Sequence, residues 1–166
     1  MLAVLVKDIE EGFEVVGKPA EIEFKYDGFR VSIHKKNNEI KLLTRRMEDV
    51  TKQFPELIPI IRSSVKADSF ILDSEVVGYD KKTGKYLPFQ SISQRIRRKY
   101  DIESVAKRFP VEMNVFDILY FDRKNLFNEK LIDRRKILEK IVKPISKKIV
   151  LAKNLITDST KEVQNF

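Results

Sequence analysis

Ile22, Phe24 and Tyr26 alternate with Glu21, Glu23 and Lys25, and further on Val31, Ile33, Ile40 and Leu42 alternate with polar residues. A period of two puts successive side chains on opposite faces, so residues 21–44 predict antiparallel strands, with Lys36-Asn37-Asn38-Glu39 as the hairpin turn. Over 50–64, Phe54, Leu57, Ile58 and Ile61 fall at helical spacing, and Pro55 suits a first helical turn. Residues 70–80 predict a buried strand interrupted by acids and leading into a Lys81-Lys82-Thr83-Gly84 turn. Residues 89–100 predict a helix whose Arg95, Arg97, Arg98 and Lys99 could lie along a phosphate backbone. An apolar strand holding Asp117 is expected at 111–121, and an amphipathic helix at 129–142 with Leu131, Ile132, Leu138, Ile141 and Val142 on one side. Pro144 ends that helix, 149–152 predicts a short strand, and Asp158-Ser159-Thr160 is a cap for a final helix.

Composition adds the partner class. The 166 residues suit one domain, and a 42% hydrophobic share supplies a core of ordinary size. Thirty-three Lys and Arg against twenty-five Asp and Glu give a formal charge of +8, which favours a polyanionic partner, nucleic acid first. With 35% of residues charged, the same excess also fits an ordinary solvated surface. The lack of cysteine excludes disulfides and cysteine-ligated zinc within the chain. No apolar run approaches the roughly 20 residues that span a bilayer, and the Met1-Leu2-Ala3 start lacks the basic residues of a signal peptide. No membrane partner is expected, and the location expected is cytoplasmic.

The candidate chemistry centres on Lys25. It follows Glu23-Phe24 and precedes Tyr26-Asp27-Gly28-Phe29-Arg30, on the strand face opposite the apolar residues and at the mouth of an Asp-Gly turn. In that turn Gly28 would supply a positive φ and Asp27 would bond its own backbone. A lysine amine attacks phosphorus only when deprotonated, a state that burial or a cationic neighbour such as Arg30 favours. Taken alone, K-x-D-G equally describes a solvated lysine beside a hairpin turn. His34, the single histidine, reads as structural, and no H-E-x-x-H, Gly-rich phosphate loop or Ser-His-Asp order competes as a site.

Four segments in order resemble the covalent nucleotidyltransferases, the superfamily of DNA ligases, RNA ligases and mRNA capping enzymes. Glu23-Phe24-Lys25-Tyr26-Asp27-Gly28-Phe29-Arg30 resembles motif I, most closely in its ligase version. Thr44-Arg45-Arg46-Met47-Glu48-Asp49 resembles the segment that follows it in ATP-dependent ligases. Leu72-Asp73-Ser74-Glu75-Val76-Val77 resembles motif III, and Asn114-Val115-Phe116-Asp117-Ile118 resembles motif IIIa. Leu87-Pro88-Phe89-Gln90 and the basic stretch after it resemble the archaeal and eukaryotic replicative ligases.

The resemblance implies an α+β fold: antiparallel sheets flanked by helices, in a nucleotidyltransferase (ATP-grasp-like) adenylation domain. It implies that Lys25 attacks the α-phosphate of ATP and carries AMP. It further implies that Glu23 meets adenine, Arg30 the nucleotide, Arg45 phosphate and Glu75 the ribose hydroxyls, and that Phe116 stacks on the base. Asp73, two residues before Glu75 on the same strand face, could with Glu75 meet a metal or the lysine, and Mg²⁺ is the implied ion. Motifs IV and V are missing. Residues 1–166 are therefore expected to be a partial adenylation domain, incomplete at the C-terminus, without the N-terminal DNA-binding domain or the C-terminal OB-fold domain. The implied parent activity is the sealing of 3′-OH/5′-phosphate nicks in double-stranded DNA during replication, repair and recombination. A sliding clamp is a candidate partner through the missing N-terminal region, and the location would be nucleoid-associated in an archaeon. The alternatives are an RNA ligase or capping guanylyltransferase, and a non-catalytic nucleic-acid-binding fragment.

Overall fold

The computed structural model describes residues 4–98 and 100–166, so Met1-Leu2-Ala3 and Lys99 of the basic stretch lie outside the described residues. The chain divides into two compact units, residues 26–151 and the pair of segments 1–25 and 152–166.

The larger unit is built on a six-stranded sheet. The expected hairpin is β2 (Phe29–Lys36) and β3 (Glu39–Thr44), joined at Asn37-Asn38 with Asn37 in the left-handed region at φ 55°. The acid-interrupted strand is β4 (Ser69–Gly78), which pairs antiparallel with β2 on one side and with β5 (Val111–Phe121) on the other. The far edge of β5 is shared by the two-residue β6 (Lys124–Asn125), antiparallel, and by β7 (Ile149–Leu151), which runs parallel to it. The sheet is otherwise antiparallel as expected, and β7 runs parallel because a helical crossover rather than a hairpin returns the chain to β5.

One face of this sheet is apolar and covered. Val31 and Ile33 of β2, Leu72 and Val76 of β4, and Met113 and Val115 of β5 are essentially inaccessible. Helices α2 (Leu57–Ser64) and α5 (Leu131–Ile141) bury Leu57, Ile61, Leu138 and Ile141 in the same core. Their ends are stitched together where the Lys66 N–H donates to the Ile141 carbonyl at 2.8 Å and the Lys143 N–H to the Ser64 carbonyl at 2.7 Å.

Three expectations change here. The helix expected over 50–64 is a single 3₁₀ turn (Thr51–Gln53) followed by α2, because Thr51 Oγ1 and the Val50 N–H are engaged with the backbone of Leu42. In α5, Leu131 and Ile132 are each 45% exposed, and the long stem of Arg135 occupies the buried stripe beside Leu138, with its Nε on Glu139 at 3.0 Å. The helix expected over 89–100 breaks into a 3₁₀ turn (Phe89–Ser91) and the four-residue α3 (Ser93–Ile96). There Arg95 is buried: it donates to the carbonyls of Phe109 (2.9 Å) and Gln53 (3.0 Å), pairs with Glu56 at 2.6 Å and lies 4.3 Å over the Phe54 ring. It holds the fold and does not reach a phosphate. Helix α4 (Ile102–Arg108) was not anticipated.

The smaller unit pairs β1 (Ala20–Glu23) antiparallel with β8 (Asn154–Thr157). Helix α1 (Ile9–Val16), also unanticipated, is capped by Asp8, whose carboxylate accepts the Glu11 N–H at 2.9 Å. Helix α6 (Thr160–Asn165) is capped by Ser159 as expected.

Candidate active site

The second face of the large sheet is polar. Strand alternation puts Arg30, Ser32 and His34 of β2 beside Glu75, Asp73 and Ile71 of β4, their register partners, and puts Asn114 of β5 opposite Glu75. Beyond Asn114 the ladder slips. Ser74 pairs with Val115 but Asp73 with Asp117, so Phe116 and Asp117 together oppose one residue of β4. This β-bulge keeps Phe116 on the polar face, half-buried, with the Arg30 guanidinium 5.7 Å from its ring centroid. It also turns Asp117 sideways to α5, where Arg134 grips both carboxylate oxygens at 2.8 and 3.0 Å. Motif-like Asp117 is thus committed to packing, and Phe116 to the open face.

Arg30 is held from below. Its guanidinium donates to the carboxylate of Asp73, which is 4% exposed at the side chain, whereas half of the arginine side chain remains accessible. Glu75 is half-buried. Among the described residues no three carboxylate or imidazole groups come together as a metal cage, and Asp73 is engaged by Arg30.

Beside this face opens a cleft of about 1240 Å³ with Arg30, Arg45, Arg46, Arg97 and Glu75 in its walls, together with Phe29 and Phe89. Arg45 and Arg46 stand on a tight turn in which Thr44 Oγ1 accepts the N–H groups of Arg46 and Glu48, both at 3.3 Å, and both arginines are exposed. Arg46 was not singled out from the sequence, whereas Arg97 was named there in the basic stretch expected to lie along a phosphate backbone. The Arg45-Arg46 doublet and the run of basic residues after Phe89 were the available signals.

The segment after the candidate nucleophile is anchored by three contacts within the large unit. The Tyr26 ring meets Tyr86 edge-on, with centroids 5.8 Å apart. The Asp27 carboxylate accepts the Phe89 N–H at 3.2 Å, not its own backbone. A Cβ on Gly28 would lie 2.3 Å from the Val76 carbonyl oxygen, and Gly28 is not among the glycines with positive φ. Glycine is therefore needed for close backbone approach to β4, not for a left-handed turn.

In the smaller unit β1 ends at Glu23, and Lys25 lies in the connecting segment, exposed, rather than inside a strand or buried. Phe24, 43% exposed, stacks at 4.8 Å on Phe166, with Lys153 over both rings. Glu23, at the end of the β1–β8 ladder, pairs in register with Asn154.

A domain model described as "ATP dependent DNA ligase domain" matches residues 1–166. The DNA ligase of Nanoarchaeum equitans is 49% identical over the whole chain, and that of Methanocella arvoryzae 43%. The chain spans about 29% of the length of each of these relatives. Among solved structures, "mycobacterial DNA ligase D complexed with ATP and MES" aligns with 87% of this chain and 44% of its own, at TM-score 0.59 and 25% identity. The ATP-dependent DNA ligase from bacteriophage T7, a complex with ATP, covers 99% of this chain and 56% of its own, at TM-score 0.53 and 17% identity. The fold matches the nucleotidyltransferase domain of ATP-dependent DNA ligases. The chain belongs to the ATP-dependent DNA ligase domain family.

Proposed function

We propose that this chain supplies adenylation-domain machinery to an ATP-dependent DNA ligase that seals nicks in duplex DNA. The observation that carries the reading is the polar sheet face: Arg30, Glu75 and Phe116 lie together on it, and Arg30 and Glu75 continue into a cleft walled by three further arginines. In this reading Phe116 stacks on adenine, a contact of about 1–3 kcal/mol for a base on an aromatic ring. Glu23 meets the base, Glu75 accepts from the ribose hydroxyls, and Arg30, held by Asp73, keeps its exposed half for the nucleotide. Arg45 presents a fork suited to two phosphate oxygens.

Lys25 is the nucleophile of this proposal. Its amine loses a proton and attacks the α-phosphorus of ATP. The N–P bond forms as the bond to the bridging oxygen breaks, and pyrophosphate leaves. The AMP then passes to the 5′-phosphate of a nick, and the 3′-hydroxyl displaces it. Mg²⁺ would supply charge neutralisation at the phosphates, but the described carboxylates do not form a cage for it, so no step above is routed through the ion. The arginine turn and the family match favour this reading over an RNA ligase, a capping guanylyltransferase or a non-catalytic binding fragment. Nucleoid association and a sliding-clamp partner belong to the whole ligase of the same proposal.

The test is intact-mass measurement after incubation with ATP and Mg²⁺, on this chain and on one extended to the length of its relatives. Expected is an AMP adduct on the extended chain that disappears in Lys25→Ala and is not formed from GTP or NAD⁺. An extended chain left unmodified by ATP sinks the proposal.

A further inference from the structure

The β5 bulge is clasped at the outer edge of its strand. That edge is paired with β7 at Met113, Asn114 and Val115 and with β6 at Tyr120 and Phe121, and among the described residues no strand is paired with it at 116–118. Arg134 of α5 reaches Asp117 in that gap. Its Nε and Nη2 donate to the two Asp117 carboxylate oxygens at 2.8 and 3.0 Å, and its Nη1 donates to the Glu129 carbonyl just ahead of α5 at 2.6 Å. Asp117 Oδ1 also accepts the N–H of Ile118 at 2.8 Å. Both side chains are largely shielded from water, so this two-pronged pair escapes the screening that weakens exposed ion pairs.

The core explains why an extra residue stands in β5, but not where it points. Val115 and Ile118 are both inaccessible and pair with Ser74 and Leu72, although residues three apart on an unbroken strand face opposite sides. One residue must be left over between them, and a bulged residue lacks the ladder partner that fixes its neighbours. The next side chain supplies the tether. With Asp117 held at both oxygens and to its own strand, the peptide between Phe116 and Asp117 cannot turn without breaking the Arg134 pair, and Phe116 stays on the polar face beside Arg30. Resting on the reading that Phe116 stacks on adenine, we propose that Arg134, outside every motif-like segment, is a positioning residue for the base: its grip on Asp117 holds the Phe116 ring in the orientation that receives adenine. Because it acts through Phe116, it governs nucleotide affinity and not the transfer of the phosphoryl group.

The experiment is a double-mutant cycle between Arg134 and Phe116, read from the ATP dependence of adduct formation on the chain extended to the length of its relatives. Arg134→Ala is expected to raise the half-saturating ATP concentration about tenfold, within the range that one base stacked on an aromatic ring contributes, and to leave the limiting rate within about twofold of wild type. Phe116→Leu should give a rise of similar size. Adding Arg134→Ala to it should change little further, because the ring that Arg134 orients is gone. Arg134→Lys keeps the charge but not the two-pronged grip. It should show the same dependence on Phe116 at smaller size, and it carries the test if the alanine variant does not fold. Equal rises with and without the Phe116 ring, or a lowered melting temperature with unchanged half-saturation, would overturn the inference while leaving the ligase reading intact. Failure of the wild type to form any adduct overturns both.

Discussion

Arg30 does not bond Glu75, its register partner across β2 and β4. It reaches one step along the ladder to the buried carboxylate of Asp73. The diagonal choice matters because it leaves Glu75 out of that ion pair and keeps the Arg30 guanidinium beside the Phe116 ring.

Replacing Asp73 by Asn should therefore act on function more than on folding. Arg30 is half exposed and can hydrate when its partner is neutralised, so unfolding free energy is expected to change by only about 1 kcal/mol. Adenylation should fall roughly tenfold in kcat/KM for ATP, since the fork is no longer pre-oriented. Denaturant midpoints and adenylation rates on the same preparation decide it. A large stability loss with unaltered kinetics in the folded fraction would show that Asp73 serves only the sheet.

Gly28→Ala should fail for a reason unrelated to φ. The added methyl would stand 2.3 Å from a backbone oxygen and 3.0 Å from the backbone carbon of Val76, neither of which can rotate away. Overpacking of this kind costs about 1–3 kcal/mol and here must displace the segment Tyr26-Asp27 from β4. Thermal denaturation and adduct formation should both suffer. An alanine variant with unchanged melting and adduct yield would refute the close-approach account.

Strands β2, β3, β4, β5 and β7 were legible because each has one face on a single core, which imposes strict alternation or an unbroken apolar run. The grouping of Arg30, Glu75 and Phe116 was legible only through motif resemblance. Alternation alone could not reveal the bulge that puts Phe116 and Asp117 opposite Asp73. Arg95 was misread because composition cannot distinguish an arginine on a phosphate-facing surface from one that caps two carbonyls and stacks on Phe54. Leu131 and Ile132 were misread because the α5 stripe starts one turn later, where Arg135 lends its aliphatic stem. Helices α1 and α4 escaped notice because they are short and each buries essentially one residue, Phe13 or Val105.

His34 gives a pH signature. Its Nε2 lies 3.0 Å from Ser32 Oγ, and burial pushes its pKa below the ordinary 6.5, with Asp73 opposing. Because the folded pKa is the lower one, the unfolded chain takes up this proton first on acidification. The stability gained from a neutral His34 is thus complete above about pH 6.5 and is lost as pH falls from there through the folded pKa. Denaturant titrations at pH 7.5 and 5.5 should show a drop that His34→Asn reduces. NMR of the imidazole should give a midpoint under 6.5, and a higher midpoint would reverse the sign.

Arg95 and Arg97, two residues apart, should behave oppositely. Arg95 is 1% exposed at the side chain, so truncation to Ala strands two carbonyls and the Glu56 carboxylate and removes a ring contact, a loss of about 3 kcal/mol in unfolding free energy. Arg97 is exposed in the wall of the arginine cleft. Its replacement by Ala should leave unfolding within about 0.5 kcal/mol of wild type. It should also weaken binding to nicked duplex DNA and reduce the slope of log K against log salt by about one unit, the signature of a lost phosphate contact. Measuring both variants by denaturation and by DNA binding across a salt series separates the roles. If Arg97→Ala left the salt slope unchanged, the cleft would not be a phosphate track. If Arg95→Ala changed the slope without destabilising the fold, its buried carbonyl contacts would not be the reason it is there.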